Sequence, residues 1–318
     1  MVPPDQFIPE RKGAALFPDY TGVCTLRYLM NRHNLPKFVQ FFRRFFKTPK
    51  GVVLTGLMVL TLLASLFPQG KVGLGHAVAA DLTAVAFDAL VALVLRRRIV
   101  LSISGLITGL IVADVLSSLT PLYLVILTTV MALLSKHVIK RGRKPIFNPA
   151  AIGLVLALTV FSSGQSWWAA LTLLPIWYLA ILLAIGIYVA VRVKKYPQVL
   201  AFLGTYFALL LVMAVLHLGL PSDTPGDALR VPFINSALFL GFFMLTDPPT
   251  SPAITRDQVV FGAMVGCIAV ILFALFGGLA YLLIALLMGN LWSSSLFWIR
   301  RFALTKPVVP STPGHRSR

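Results

Sequence analysis

Asp81, Asp88 and Asp114 stand inside otherwise apolar stretches of this chain. A carboxylate is costly to keep in such surroundings, so each is a candidate to exchange a proton or hold a cation. Two further segments place polar groups and prolines between apolar runs: Gly142-Arg-Lys-Pro-Ile-Phe-Asn-Pro-Ala-Ala151 and Leu245-Thr-Asp-Pro-Pro-Thr-Ser-Pro-Ala253. Asn148 before Pro149 has the form of a helix N-cap with proline in the first turn, and Ser251-Pro252 repeats that form. Helix N-termini carry unpaired N–H donors and a partial positive charge. Two of them converging would suit an electron-rich group such as a phosphate, a carboxylate or the carbonyls of a flavin ring. The plainer reading is that both are simply capped helix starts, with Asp247 capping a proline-rich turn.

The elements that must position these residues follow from hydropathy. Ten apolar stretches run over about 51–67, 76–95, 99–118, 121–138, 149–163, 168–191, 198–219, 233–245, 258–275 and 277–299. Most approach the ~20 residues that a helix needs to cross ~30 Å of hydrocarbon. The fold class is therefore all-α, a polytopic membrane protein of about ten transmembrane helices. Of the 28 Lys and Arg residues, only Lys71 and Arg230 fall on the side opposite the N-terminus. That asymmetry orients the chain with both termini in the cytoplasm. Hydrophobic residues make up 58% of the chain and charged ones 12%, too little polar surface to cover a soluble globule. The net charge of +18 needs no nucleic acid, because basic residues at cytoplasmic membrane edges are held by the anionic leaflet of the lipid bilayer. Cys24 and Cys267 can build neither a disulfide framework nor a metal cage, and no metal site is expected. The first fifty residues show scattered proline and charge rather than a cleavable signal, so the first span reads as an uncleaved anchor.

Three regions result: a cytoplasmic arm over 1–50, a transmembrane domain over 51–299 and a basic cytoplasmic tail over 300–318. Within the arm, Lys37-Phe-Val-Gln-Phe-Phe-Arg-Arg-Phe-Phe-Lys47 alternates aromatic and basic residues at helical spacing, which suits a helix lying in the headgroup plane. Asp81 and Asp88 are seven residues apart and share one helix face, which must look into the bundle. With Asp114 that face offers an ion or proton path. The plainer alternative pairs Asp88 with Arg96 to Arg98 or with hydroxyls of the third span. His76 and His217 share the outer side and His137 lies on the other, a poor arrangement for bis-histidine haem, and no haem is expected. Nothing resembles a hydrolase triad, a P-loop or a dinucleotide fingerprint, and no catalytic residue is assigned.

Phe147-Asn148-Pro149-Ala150 after a basic loop, and Phe243-Met-Leu-Thr-Asp-Pro-Pro-Thr-Ser-Pro252 before an Arg and a glycine-bearing span, resemble the NqrB/RnfD family. These are the membrane subunits of the sodium-translocating NADH:quinone reductase and of the Rnf complex. The likeness covers about residues 100–160 and 233–295. It implies two inverted five-helix halves, although no internal sequence repeat is visible. It also implies a subunit of an ion-coupled electron-transfer complex, with other membrane and cytoplasmic subunits as partners, in the inner membrane. Family members typically carry FMN on the Thr of a Gly-Ala-Thr motif. This chain has no Gly-Ala-Thr, and Ser162-Ser-Gly-Gln-Ser-Trp-Trp168 stands near the corresponding place, so covalent FMN is not expected. The resemblance implies instead a non-covalent flavin, riboflavin or FMN, on the cytoplasmic side. Carried over residue by residue, Asn148 with Phe147 would form one wall and Thr246, Asp247, Thr250 and Ser251 the other.

Readings of a different class stay open, namely a small-solute or cation transporter on the same fold and a structural subunit without cofactor. The charge asymmetry itself makes a prediction. Reporter fusions after Gly70, Ser118, Gly164, Pro225 and Phe276 should report the outer side, and fusions after Arg98, Arg143, Lys195 and Arg256 the cytoplasm. A cytoplasmic readout at Pro225 would overturn this topology.

Overall fold

Proline and short polar caps set where the helices begin. The computed structural model describes residues 45–304 apart from 47, 97, 99–101, 143, 217–229 and 279. Among these are ten α-helices: α1 Pro49–Ser65, α2 Pro68–Val94, α3 Ile103–Val115, α4 Leu122–Val138, α5 Pro149–Phe161, α6 Tyr178–Val193, α7 Tyr196–Val215, α8 Val231–Phe239, α9 Thr255–Phe276 and α10 Tyr281–Leu304. Thr48, Ser102 and Asn148 each turn a side-chain oxygen onto a backbone N–H of the first turn of α1, α3 and α5. Pro49 and Pro149 occupy first-turn positions where no N–H is needed. A two-stranded hairpin, β1 Lys140–Arg141 and β2 Lys144–Pro145, links α4 to α5. It turns at Gly142, whose φ of 61° lies in the left-handed region that glycine tolerates.

The helices form two halves of five. In the first, α1 packs on α2 and α3, α2 on α4, and α4 on α5. In the second, α6 packs on α7 and α8, α7 on α9, and α9 on α10. The first helices of the two halves meet, α1 with α6, as do the last, α5 with α10. Because five is odd, the second half starts from the opposite end of the bundle, and the two are inverted relative to one another. A short sequence echo accompanies this. Asp114-Val-Leu-Ser-Ser118 ends α3, and Asp247-Pro-Pro-Thr-Ser251 follows the third helix of the second half.

Lys50, Lys136, Lys140, Lys144 and Lys195 gather at one end of the bundle, called here the basic end. Three helices, over Gly70–Val94, Tyr196–Val215 and Thr255–Phe276, are long and apolar enough to cross a membrane by themselves; the other apolar helices are shorter. The chain is an all-α polytopic membrane protein.

Two expected boundaries move, for one physical reason. The apolar run 168–191 reads as a span, yet α6 begins only at Tyr178, after an irregular buried segment with a single 3₁₀ turn at Trp168–Ala170. That segment supplies donors to carbonyls that end α3: Trp168 Nε1 donates to Ala113 O at 2.7 Å and Ser166 N to Val115 O at 3.1 Å. Likewise Ser251-Pro252 does not start a helix. α9 begins at Thr255, and the Ser251 hydroxyl donates instead to Asp247 O at 2.8 Å. Hydropathy cannot distinguish a buried loop from a buried helix, since both are apolar.

The basic-aromatic stretch 37–47, apart from Phe45 and Phe46, lies outside the described residues, as do 305–318, Cys24 and His217.

α7 and α9 make the closest approach in the second half. A Cβ at Gly262 would fall on the backbone of Gln198 and Phe202, and one at Gly266 on that of Phe202 and Tyr206. The spacing is the small-xxx-small pattern that lets helices pack backbone to backbone in lipid. Gly262→Ala and Gly266→Ala should each lower stability by about 1–3 kcal/mol, because backbone on a rigid helix cannot yield as a side chain can. Thermal unfolding in detergent should show the loss, whereas Gly204→Ala, whose Cβ would enter open space, should change little.

Candidate functional site

The segment from Met244 to Ala253 leaves a row of carbonyls that no helix satisfies, because Pro248, Pro249 and Pro252 interrupt regular structure. α8 first widens into a π-helical turn over Leu240–Met244. Buried side chains from three other helices and a connection then reach in. Asn148 Nδ2 donates to Met244 O at 3.0 Å, Gln198 Nε2 to Leu245 O, Asn290 Nδ2 to Thr250 O at 3.3 Å and Gln258 Nε2 to Ala253 O at 3.2 Å. The Lys195 ammonium takes Pro252 O. Each donor is almost completely buried. In a medium without water an unmet carbonyl costs several kcal/mol, so these five groups hold the loop in place.

Asn148 is the centre of the clasp. Its Oδ1 accepts Ala151 N to start α5, its amide reaches Met244, and its own N–H donates to Asn290 Oδ1 at 2.9 Å. Asn290 then joins α10 to both motifs. The first-turn residues of α5 and the Thr-Asp-Pro-Pro loop, 96 residues apart at their nearest bond, are thereby fixed against each other. Inside the loop, Thr250 Oγ1 donates to Asp247 Oδ2 at 3.0 Å, and Thr246 Oγ1 donates back to Phe242 O at 2.7 Å. Burial lifts the Asp247 carboxyl to about 6, opposed by the Thr250 hydrogen bond and by Lys50, Lys195 and Lys136. Burial also pulls the Lys195 ammonium down to about 8, against the attraction of Asp247.

Beside this clasp a cavity of about 830 Å³ opens at the basic end. Asn148, Thr246 and Asp247 line it together. Its apolar walls are Val53 of α1, Ile107 and Ile111 of α3, Val193 and Phe243; Ser102, Ser104 and Thr108 add hydroxyls. Lys50, Lys136, His137, Lys140 and Lys144 add basic groups to the lining. Thr250 and Ser251 do not reach this cavity. They line a neighbouring groove of about 540 Å³ with Asn290, separated by the hairpin and by Pro248 and Pro249, which border both. Phe147 lines neither.

The three intramembrane acids are arranged as a file. On α2, Asp81 and Asp88 face α3, since a Cβ at Gly109 would press on Asp81 and one at Gly105 on Asp88. Seven residues of helix separate them by about 10 Å along the axis. Asp114, fully buried on α3, has both oxygens 3.0 and 3.1 Å from Thr61 Oγ1 of α1. Asp81 lies close enough for its charge to act on Asp114. At the other end of the file, Asp88 Oδ1 is 3.7 Å from Lys136 Nζ. Asp88 is thus paired with Lys136 of α4 rather than with Arg96 or Arg98, while Arg97 lies outside the described residues. His137 packs its ring near Phe87, and His76 is buried near the start of α2.

Lys136, Lys195, Gln198, Asn290 and Thr61 were not singled out by sequence reasoning. Gln198 and Asn290 carried a usable signal, because an amide inside an apolar span must find a partner. Lys195 and Lys136 are hidden among the basic residues that flank every span on that side.

The clasp predicts coupled losses. Asn148→Ala removes the cap of α5 and the Met244 contact, and Asn290→Ala removes the acceptor of Asn148 N–H and the donor to Thr250. Each should cost about 1–3 kcal/mol. The double variant should cost less than the sum by at least ~0.5 kcal/mol, because the two residues share one network. Unfolding of the four proteins in detergent measures this, and strict additivity would mean that the two amides act separately.

No curated protein matches the chain at a significant level. The sequence model of the NQR2, RnfD, RnfE family matches over residues 46–174 and 170–299, one match for each five-helix half. The matched residues take in both proline motifs, the acidic file and the cavity. The chain belongs to the NQR2, RnfD, RnfE family, a family of membrane subunits of Rnf and Nqr electron-transport complexes.

Proposed function

We propose that the cavity at the basic end binds a flavin without a covalent bond, and that the subunit relays electrons from a cytoplasmic reductase partner within an ion-coupled complex of the inner membrane. In this reading the basic end and both termini face the cytoplasm, as the distribution of Lys and Arg suggests. The observation that carries it is the cavity itself. Two motifs distant in sequence form one wall region, and the volume falls within the ~300–1,000 Å³ usual for small-molecule sites.

The lining suits a flavin. Val53, Ile107, Ile111 and Phe243 can enclose a flat apolar ring, while Ser102, Thr108 and Asp247 offer hydrogen-bonding groups for its polar edge. When bound, a flavin would supply the acceptance and release of electrons. The chain's own residues do the rest. Asn148 and Asn290 keep the two motifs at fixed separation. Asp247 can hold or release a proton beside the ring, since its carboxyl is lifted to about 6. Phe243 and the loop limit water on the inner side.

A second reading, cation or proton transport, draws on the file of Asp81, Asp88 and Asp114. It is compatible with the first, because the file meets the cavity at Lys136. Flavin content separates the two when each is taken alone. Purified full-length protein should release flavin on acid extraction in stoichiometric amount and show no flavin fluorescence on a denaturing gel. Asp247→Asn should slow flavin reduction by an artificial donor and flatten its pH dependence around pH 6 more than it weakens binding. Protein that folds but neither retains nor takes up flavin would leave the transporter or the structural subunit as the function.

A further inference from the structure

The cavity at the basic end opens among exposed lysines. Lys50, Lys140 and Lys144 all line it, and none of the three makes an ion pair among the described residues. Of the described acids at this end, Asp88, Asp247 and Asp257, none is exposed. Basic residues that serve lipid headgroups belong at the perimeter of a bundle, where the headgroups lie. These three instead surround an opening bordered by α1, α3, α4 and α5, in the interior of the bundle.

The hairpin that carries Lys140 and Lys144 concentrates the charge further. Its register sets Arg141 opposite Lys144, and like charges that face each other across a strand pair repel. A two-stranded ribbon is marginal by itself. This one is pinned to α10 by Arg141, whose Nη1 donates to Ser294 O and to Ser294 Oγ at 3.1 Å each. Its tip stands clear, since a Cβ at Gly142 would meet nothing within 4 Å. A fixed, projecting, basic element at the mouth of a cavity is placed to meet a second surface, and a surface bearing carboxylates would relieve the repulsion within it.

We propose that the hairpin and the lysine rim of the cavity form the docking face for a soluble electron-donor protein, and that this donor presents an acidic surface around its own redox group. This rests on the relay reading above, which places a donor at this mouth and leaves its surface unspecified. Electron-transfer encounters are among the smallest protein interfaces, so one hairpin and a few lysines are area enough. Complementary charge governs how fast and in which orientation such partners meet. The lysines therefore bring the donor to the mouth rather than to the rest of the basic end.

The test is association of full-length protein, in nanodiscs of zwitterionic lipid at low salt, with a flavodoxin as a small acidic electron carrier and with cytochrome c as a basic one. The flavodoxin should associate, cytochrome c should not, and the rate should fall as salt is raised. Lys140→Glu combined with Lys144→Glu should slow association roughly tenfold to hundredfold, and Lys140→Gln with Lys144→Gln should fall between. Lys194→Glu combined with Arg256→Glu changes the net charge equally, at exposed residues that line neither the cavity nor the groove, and should slow it far less. Equal slowing by the two Glu pairs would mean attraction by net charge alone, with the rim lysines left to lipid headgroups, and would overturn the docking face. So would a flavodoxin that associates no faster than cytochrome c. Association needs no bound flavin, which keeps the two readings apart. Rim-dependent association by protein that never takes up flavin would support the docking face and overturn the flavin reading, whereas protein that holds flavin but lacks this association would overturn the docking face alone.

Discussion

Every backbone carbonyl inside a membrane bundle needs a donor, and this protein breaks its helices in places where water does not provide one. The proline-rich loop after α8 is the sharpest case. Proline removes N–H groups but leaves carbonyls, so the loop accepts far more than it can donate. Asn148, Lys195, Gln198, Gln258 and Asn290 answer it with five side-chain donors drawn from different parts of the chain. Satisfying the loop therefore fixes α5, α7, α9 and α10 around it. The same requirement operates at the opposite end, where Trp168 and Ser166 serve the carbonyls of α3. Both breaks follow the third helix of a half. Inverted symmetry reuses the problem but not the residues that solve it.

The cavity is a consequence of these interruptions. Where the π-helical turn after α8 stops at Met244 and α5 starts at Pro149, neither helix continues to fill the basic end, and the space between them is bordered by α1, α3 and α4. A clasp that pins the two motifs also leaves their far sides facing a common volume. Asn148 illustrates the division of labour. Its amide is engaged in holding the walls, and the other polar groups of the lining come from the hydroxyls of α3, from Asp247 and from the lysines. Its loss would alter the cavity through shape rather than through one missing hydrogen bond.

Charge is arranged with comparable economy. Glycines at 105 and 109 open room on α3 for the carboxylates of Asp88 and Asp81, so the acids lie between helices instead of against lipid. Lys136 closes this row on the side of the cavity. A bundle with few ionisable groups inside has thus placed a cation where its acidic file meets this cavity.

Much of this was legible in the residues. Apolar stretches and the placement of Lys and Arg specify a polytopic all-α protein, because hydrocarbon thickness and the anionic leaflet act on any sequence in the same way. Asn148-Pro149 announces a capped helix start, since a cap needs only local geometry, and the seven-residue spacing of Asp81 and Asp88 places them on one face for a reason equally local. What hydropathy could not separate was buried loop from buried helix, so the segment before Tyr178 read as a span and Ser251-Pro252 as a helix start. Tertiary structure alone decided which side chain meets which orphaned carbonyl, which base pairs with Asp88, and that Thr246 and Asp247 share a cavity with Asn148 while Thr250 and Ser251 do not. Those choices depend on contacts between residues far apart in the chain, and a donor shows its partner only when the fold has brought the acceptor to it.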